Sequence, residues 1–244
     1  MKVPRLRVFA GPNGSGKSTI KAEMPPTLTQ LFVNADELEN EARTTGFIDL
    51  SPFEIKTTLH ELLRFHIDHY LIKQKHLAEQ SVKLRMLGNR IDYRAVEVDS
   101  YLASVASDFI RHQLLEKGIS LSFETVMSHP SKIAFMQQAQ SRGYRTYLYF
   151  VSTENPDINI DRVEIRVQQG GHPVRPDLIR KRYTRALALL PNAIACSDRA
   201  YVFDNSGERA IWLAEITDGT QLEYRCEEIP EWFFGAYMAE VGAE

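Results

Sequence analysis

The sequence predicts an α/β fold: a mainly parallel five-stranded sheet with helices on both faces. Three observations predict it. Short apolar runs alternate with segments of helical length along most of the 244 residues. That order needs crossover connections, which lay helices over both faces of a parallel sheet. The first apolar run, Leu6 to Ala10, also leads straight into GPNGSGKST (11–19), a glycine-rich turn placed to open a helix.

The elements follow in order. Leu6 to Ala10 reads as a buried strand, and a helix opens near Lys17. QLFVNAD (30–36) is a second strand-like run that ends in polar residues. SPFE (51–54) has the form of a capping box with Pro at the first helical position, so one long or two consecutive helices are expected from there to about Leu87. LGNRIDY (87–93) is a break. DSYLASVASDFIRHQLLEKG (99–118) is a helix capped by Ser100 and stopped by Gly118. ISLSFETV (119–126) is the third strand, PSKIAFMQQAQSRG (130–143) a helix, and YRTYLYFVS (144–152) the fourth strand. NIDRVEIRVQQGG (159–171) is helical until the glycine pair, and RPDLIRKRYTRALALLP (175–191) is a helix closed by Pro191. RAYVFDNSG (199–207) is the fifth strand. The two alternating runs of AIWLAEITDGTQLEYRC (210–226) form a hairpin around Asp218-Gly219. No linker divides the chain, so one domain is expected over 1–244, with a helical insertion at 50–115 and a C-terminal hairpin and tail at 207–244.

Composition narrows the class. A formal net charge of −3 carries no global basic signature, so nucleic acid is not the expected partner. No window approaches the roughly 18 apolar residues of a membrane span, and the N-terminal apolar run is too short for a signal peptide. Cys196 and Cys226 lack metal-type spacing. A soluble cytoplasmic protein is the expectation.

Residues 11–18 match G-x-x-x-x-G-K-[ST] in the required strand–turn–helix context. This is a P-loop. Gly11, Pro12, Asn13, Gly14, Ser15, Gly16, Lys17, Ser18 and Thr19 form the expected nucleotide cradle: backbone N–H groups converge on phosphate, Lys17 reaches the outer phosphates and Ser18 ligates Mg²⁺. ATP is the expected nucleotide, and GTP is compatible, although no N-K-x-D base-recognition run marks a GTPase. QQGG (168–171) faintly resembles the signature loop of transporter ATPases, but a basic helical segment follows where an apolar strand ending in Asp-Glu should be.

GPNGSGKST, NAD (34–36), FETVMS (123–128), RVEIRVQQGGHPV (162–174) and IRKRY (179–183) occur in this order. Together they resemble the zeta-toxin family of P-loop kinases, and more closely its branch of predicted ATPases, from about Val8 to Ser206. The resemblance implies a kinase-like three-layer fold and a cytoplasmic ATP- and Mg²⁺-dependent kinase. Its acceptor would be an alcohol group on a small molecule such as a nucleotide sugar; some family members pair with an antitoxin protein.

The residues themselves point the same way. Asp36 ends the second strand on the ligand edge of the sheet, where a carboxylate takes the proton of an attacking hydroxyl; the resemblance gives it that role. Glu124, ending the third strand beside Thr125, is an acid at the same edge, and the resemblance implies contact with substrate or the metal shell. Arg162 and Arg166 are four apart, on one helix face, where two guanidinium groups neutralise charge on a transferring phosphoryl group. His172 and Arg182 are further substrate-side candidates, with Arg180 expected to point elsewhere. Two other readings remain open. A polynucleotide or other nucleotide kinase predicts a basic channel leading to Asp36. A nucleotide-dependent switch without phosphotransfer predicts that Asp36 is dispensable.

Overall fold

The computed structural model describes residues 3–29 and 31–239. Two compact units divide the chain, one formed by residues 1–30 and 122–244, the other by residues 31–121. The first unit opens with β1 (Arg5–Ala10) and α1 (Lys17–Ala22). The second carries β2 (Phe32–Val33), α2 (Ala35–Thr45), β3 (Phe47–Asp49), α3 (Leu59–Asp68), α4 (Tyr70–Gln74), α5 (Ala78–Ser81), β4 (Arg85–Leu87), β5 (Arg90–Asp92) and α6 (Ser100–Glu116). β6 (Leu121–Thr125) starts at the boundary and returns the chain to the first unit. There follow α7 (Ser131–Ser141), β7 (Arg145–Ser152), α8 (Pro156–Gln168), α9 (Pro176–Ala188), α10 (Leu190–Ala195), β8 (Arg199–Asp204), β9 (Ile211–Thr217), β10 (Gln221–Tyr224) and α11 (Glu231–Phe233).

In the first unit the strands lie in the order β10–β9–β8–β7–β1–β6. β1 and β7 are parallel with Ala10 opposite Phe150, and β7 and β8 are parallel with Ser152 opposite Asp204. β9 and β10 are antiparallel additions at one edge. β1 is central because it is apolar on both faces: Leu6, Val8, Phe9 and Ala10 are all fully buried. Phe9, Tyr149 and Tyr201 stack across three adjacent strands with 5.0 Å between successive ring centroids, which pins the register. The expected hairpin is present. Asp218 and Gly219 both have positive φ, the signature of a type I′ turn.

Pro191 does not close the helix before it. It lies in the first turn of α10, where its missing N–H has no partner to lose. Trp232, Phe233 and Tyr237 pack into this unit, while Phe234 is exposed.

The second unit departs furthest from expectation. The box at SPFE is a single 3₁₀ turn, ended by Glu54 in a left-handed conformation. The capping box forms at Thr58 and Glu61 instead, and opens α3. Three short helices replace the long one. β3, β5 and β4 form a small antiparallel sheet, with LGNRIDY as its β4–β5 hairpin rather than a simple break. Ile48, Ile91 and Met86 lie side by side across that sheet. Three-residue strands are too short to announce an alternating pattern, which is why they read as helix and loop. The N-cap of α6 is Asp99, whose carboxylate accepts from Leu102 N at 2.8 Å, one residue before the expected Ser100. Gly118, at φ 67°, stops the chain after it as expected.

Candidate active site

The carboxyl ends of β1, β6, β7 and β8 converge on one edge of the first unit, the position where open α/β sheets hold ligands. The P-loop leaves β1 there. The N–H of Gly11 bonds Thr125 O at 3.3 Å, tying the loop to the end of β6. A side chain at Gly11 would drive into the carbonyl of Val151 on β7. Gly16 has φ 95° and N-caps α1, and a Cβ there would strike the side-chain amide of Asn205. These two glycines permit a loop walled in on its outer side by β7 and by the turn after β8.

Lys17 is buried, with its Nζ donating to Pro12 O at 2.8 Å and lying 3.8 Å from Glu124 Oε1. Ser18 Oγ donates to Glu124 Oε2 at 3.0 Å. The lysine, the hydroxyl and the carboxylate therefore meet at the mouth of the loop. Ser15 Oγ is buried without a hydrogen-bond partner. A buried hydroxyl left unpaired is costly, and a phosphate oxygen would satisfy it. The donor set also fits a divalent cation: Ser18 Oγ and the Glu124 carboxylate are the hard oxygen ligands that Mg²⁺ takes alongside phosphate oxygens. Among the described residues no cluster of three or more His, Cys, Asp or Glu forms an all-protein metal site. Such a cage is not required where most ligands come from nucleotide and water. Thr19 is exposed, and its N–H bonds Gly16 O at 3.0 Å.

Thr125 Oγ1 accepts from Met127 N at 3.1 Å, holding the turn after β6. Arg162 and Arg166 both lie on α8, as their spacing predicts, but neither bonds Asp161 or Glu164. Arg162 donates to the carbonyls of Asn205 (2.6 Å) and Gly207 (3.1 Å). Arg166 donates to His172 O at 3.0 Å, and its buried Nε has no partner. The His172 side chain is exposed. Gly170, at φ 89°, ends α8, and Gly171 N returns to Arg166 O at 2.8 Å. Arg182 reaches the P-loop, its Nη1 donating to Asn13 Oδ1 at 3.2 Å. Arg180 points elsewhere and pairs with Asp157.

Asp36 belongs to the second unit. It does not end a strand: it lies exposed in the first turn of α2, its N–H bonded to the capping Asn34 Oδ1 at 2.9 Å. Asp204 is occupied structurally, because its carboxylate accepts from Trp232 Nε1 at 2.6 Å and from Ser206 N and Oγ at 2.9 Å each.

Two side chains at the loop escape a sequence reading. Asn159 of α8 is fully buried, and its Nδ2 donates to Asn13 O at 2.6 Å while its Oδ1 accepts from Thr153 Oγ1. Asn205 Nδ2 donates to Ser15 O at 2.8 Å. The one available signal was that Asn159 falls on the inward stripe of α8 with Ile160 and Val163.

The zeta toxin family model matches residues 90–217, just over half of the chain. A solved complex of AvrRxo1-ORF1 and -ORF2 with ATP superimposes at a TM-score of 0.54 and 15% identity, covering 91% of this chain and 61% of that one. The PezAT chromosomal toxin–antitoxin system of Streptococcus pneumoniae gives 0.50 and 14%, covering 97% and 85%. An uncharacterized protein of Haemophilus influenzae is 29% identical over 72 residues, which is 30% of this chain. This chain spans about half the length of that relative and under two thirds of the AvrRxo1 chain. The structural likenesses establish a shared α/β fold. No helix among the described residues is long and apolar enough to cross a membrane.

Proposed function

The chain belongs to the zeta toxin family, and on that premise we propose that it is a cytoplasmic kinase moving the γ-phosphate of ATP to a hydroxyl of a nucleotide-sugar-like small molecule. The observation that carries this reading is the meeting of Lys17, Ser18 and Glu124 at the mouth of the P-loop. Lys17 neutralises the outer phosphates, and its contact with Pro12 O keeps the ammonium aimed along the loop. Ser18 and Glu124 would hold Mg²⁺, which when bound screens the phosphoryl charge. Asp36 takes the proton of the attacking hydroxyl. Arg166, with its Nε unpaired, and Arg162 supply positive charge for the transferring group. Arg182, His172 and Thr125 serve the acceptor side. An antitoxin-like protein is the partner in this reading, in keeping with the toxin–antitoxin system among the structural relatives.

The test is transfer of labelled phosphate from ATP to UDP-N-acetylglucosamine and to fractionated metabolite pools, comparing wild type with Asp36→Ala. Loss of a general base lowers turnover by about 10²–10⁴-fold while ATP binding persists. Unchanged turnover removes Asp36 from the mechanism, and absence of any hydroxyl acceptor removes the kinase.

One observation favours a second reading, a polynucleotide kinase. In the second unit a cleft of about 290 Å³ is lined by Lys83, Arg85, Arg94, Asp92 and Ala95. Arg94 abuts Gly46, the C-cap of the helix whose first turn carries Asp36. An 11-residue helix spans roughly 16 Å, a distance that a few nucleotides bridge. Oligonucleotides with a free 5′-hydroxyl, offered in the same assay, separate the two acceptors.

A further inference from the structure

A P-loop works only if its N–H groups face inward, and a trans peptide places C=O and N–H on opposite sides. Whatever holds the carbonyl of one residue outward therefore aims the N–H of the next residue inward. In this chain two side-chain amides hold two such carbonyls. Asn159 Nδ2 holds Asn13 O at 2.6 Å, and the next N–H is that of Gly14. Asn205 Nδ2 holds Ser15 O at 2.8 Å, and the next N–H is that of Gly16.

Neither amide is a casual contact. Asn159 is fully buried, and its other end is fixed by the Thr153 hydroxyl. Tyr183 OH donates to Thr153 O at 2.6 Å, fixing that strand end in turn. Asn205 is held on both sides of its backbone: its N–H bonds Ser152 O at 2.8 Å, and its carbonyl takes Arg162 Nη1 at 2.6 Å. Each asparagine also stands where the neighbouring glycine's side chain would be. A Cβ on Gly14 would lie 2.5 Å from Asn159 O, and one on Gly16 would strike Asn205 Nδ2. An amide suits the task because it is a neutral donor. A lysine or arginine would add charge behind the loop, and a hydroxyl is too short to span the same gap.

We propose that Asn159 and Asn205 are positioning residues of the phosphate site, with Asn159 aiming the Gly14 N–H and Asn205 aiming the Gly16 N–H at bound phosphate. This rests on the nucleotide-binding half of the proposed function and not on the identity of the acceptor. It also gives Arg162 a second task, since its bond to Asn205 O steadies the amide that steadies the loop.

The full chain, labelled with ¹⁵N-glycine, is titrated with ATP and Mg²⁺, and the Gly14 and Gly16 amide protons are followed. In wild type both move downfield. Asn205→Ala loses the shift at Gly16 and keeps it at Gly14. Asn159→Ala loses it at Gly14 and keeps it at Gly16. Each variant binds ATP about 10-fold more weakly, the loss expected for one misdirected hydrogen bond to a charged group. Should buried Asn159 prove indispensable for folding, the half-buried Asn205 carries the test alone. Wild-type shifts in the variants, or loss of both shifts together in one variant, overturn the assignment, the second result marking general damage to the loop. Selective loss without transfer to any hydroxyl acceptor sinks the kinase and leaves the positioning roles standing. A wild-type chain that shows no shift with ATP overturns both.

Discussion

Ser18 Oγ lies 3.0 Å from Glu124 Oε2, across the mouth of the P-loop and 106 residues away in the chain. The same carboxylate sits 3.8 Å from the Lys17 ammonium. In the proposed kinase, Glu124 stands where a phosphate would compete for the lysine and a cation for the hydroxyl. Glu124→Gln has opposite expected effects with and without metal. Without metal, a like charge facing the phosphates is removed, and ATP binds roughly 3- to 10-fold more tightly. With Mg²⁺, an oxygen ligand is weakened, and phosphotransfer falls by roughly 10–100-fold. Calorimetric titration in chelator and in Mg²⁺ separates the two signs.

Gly11→Ala and Gly170→Ala place the same methyl group at two left-handed glycines with different surroundings. At Gly11 the methyl meets the backbone carbonyl of Val151, a β7 residue paired with Phe203 of β8. At Gly170 nothing lies within 4 Å. The first substitution is expected to cost about 3 kcal/mol or more, and the second only the ~1–2 kcal/mol of left-handed backbone strain. Urea denaturation of both variants measures the difference.

His66 makes folding of the second unit sensitive to acid. The ring is fully buried, and Nδ1 lies 2.9 Å from Leu62 O. Burial, helped by the neighbouring charge of His69, pushes its pKa down from 6.5 to about 4. Between those values the unfolded chain binds the proton and the folded chain does not. This contribution is therefore complete above about pH 6.5 and is lost as pH falls towards 4. Its full size is of order 3 kcal/mol. Melting temperatures from pH 7 to 4 should fall more steeply for wild type than for His66→Leu.

Trp232→Phe tests the anchor of the C-terminal segment. Its indole N–H donates to Asp204 Oδ2 at 2.6 Å in a buried setting. Removing that donor leaves the carboxylate with Ser206 alone, at an expected cost of about 1–3 kcal/mol. Chemical denaturation measures it, and ATP affinity should change much less than stability.

The first unit was largely legible because its signals are strong and local. Its strands are apolar runs bounded by turn residues, and Asp218-Gly219 specifies its own hairpin. The P-loop carries its geometry in its glycines. The second unit was less legible for a physical reason. β3, β4 and β5 have three residues each, too few for alternation to show, and Pro52 satisfies the rules of a helix start and of a 3₁₀ turn equally. Within the site, Lys17 and Ser18 could be named from spacing. The i, i+4 spacing put Arg162 and Arg166 on one helix, but could not foresee that their guanidinium groups would bond backbone carbonyls.

The sequence by itself determined the phosphate-loop motif and its strand–turn–helix setting, because glycine permissiveness, a helix start and a lysine at fixed offsets are local properties. Tertiary structure alone decided what surrounds that loop. Glu124 meets Lys17 and Ser18, and Asn159 and Asn205 hold its outward carbonyls, because parallel strands distant in sequence end at one edge. No local pattern encodes which buried amide will face which carbonyl. That follows from packing and from the requirement that buried polar groups find partners.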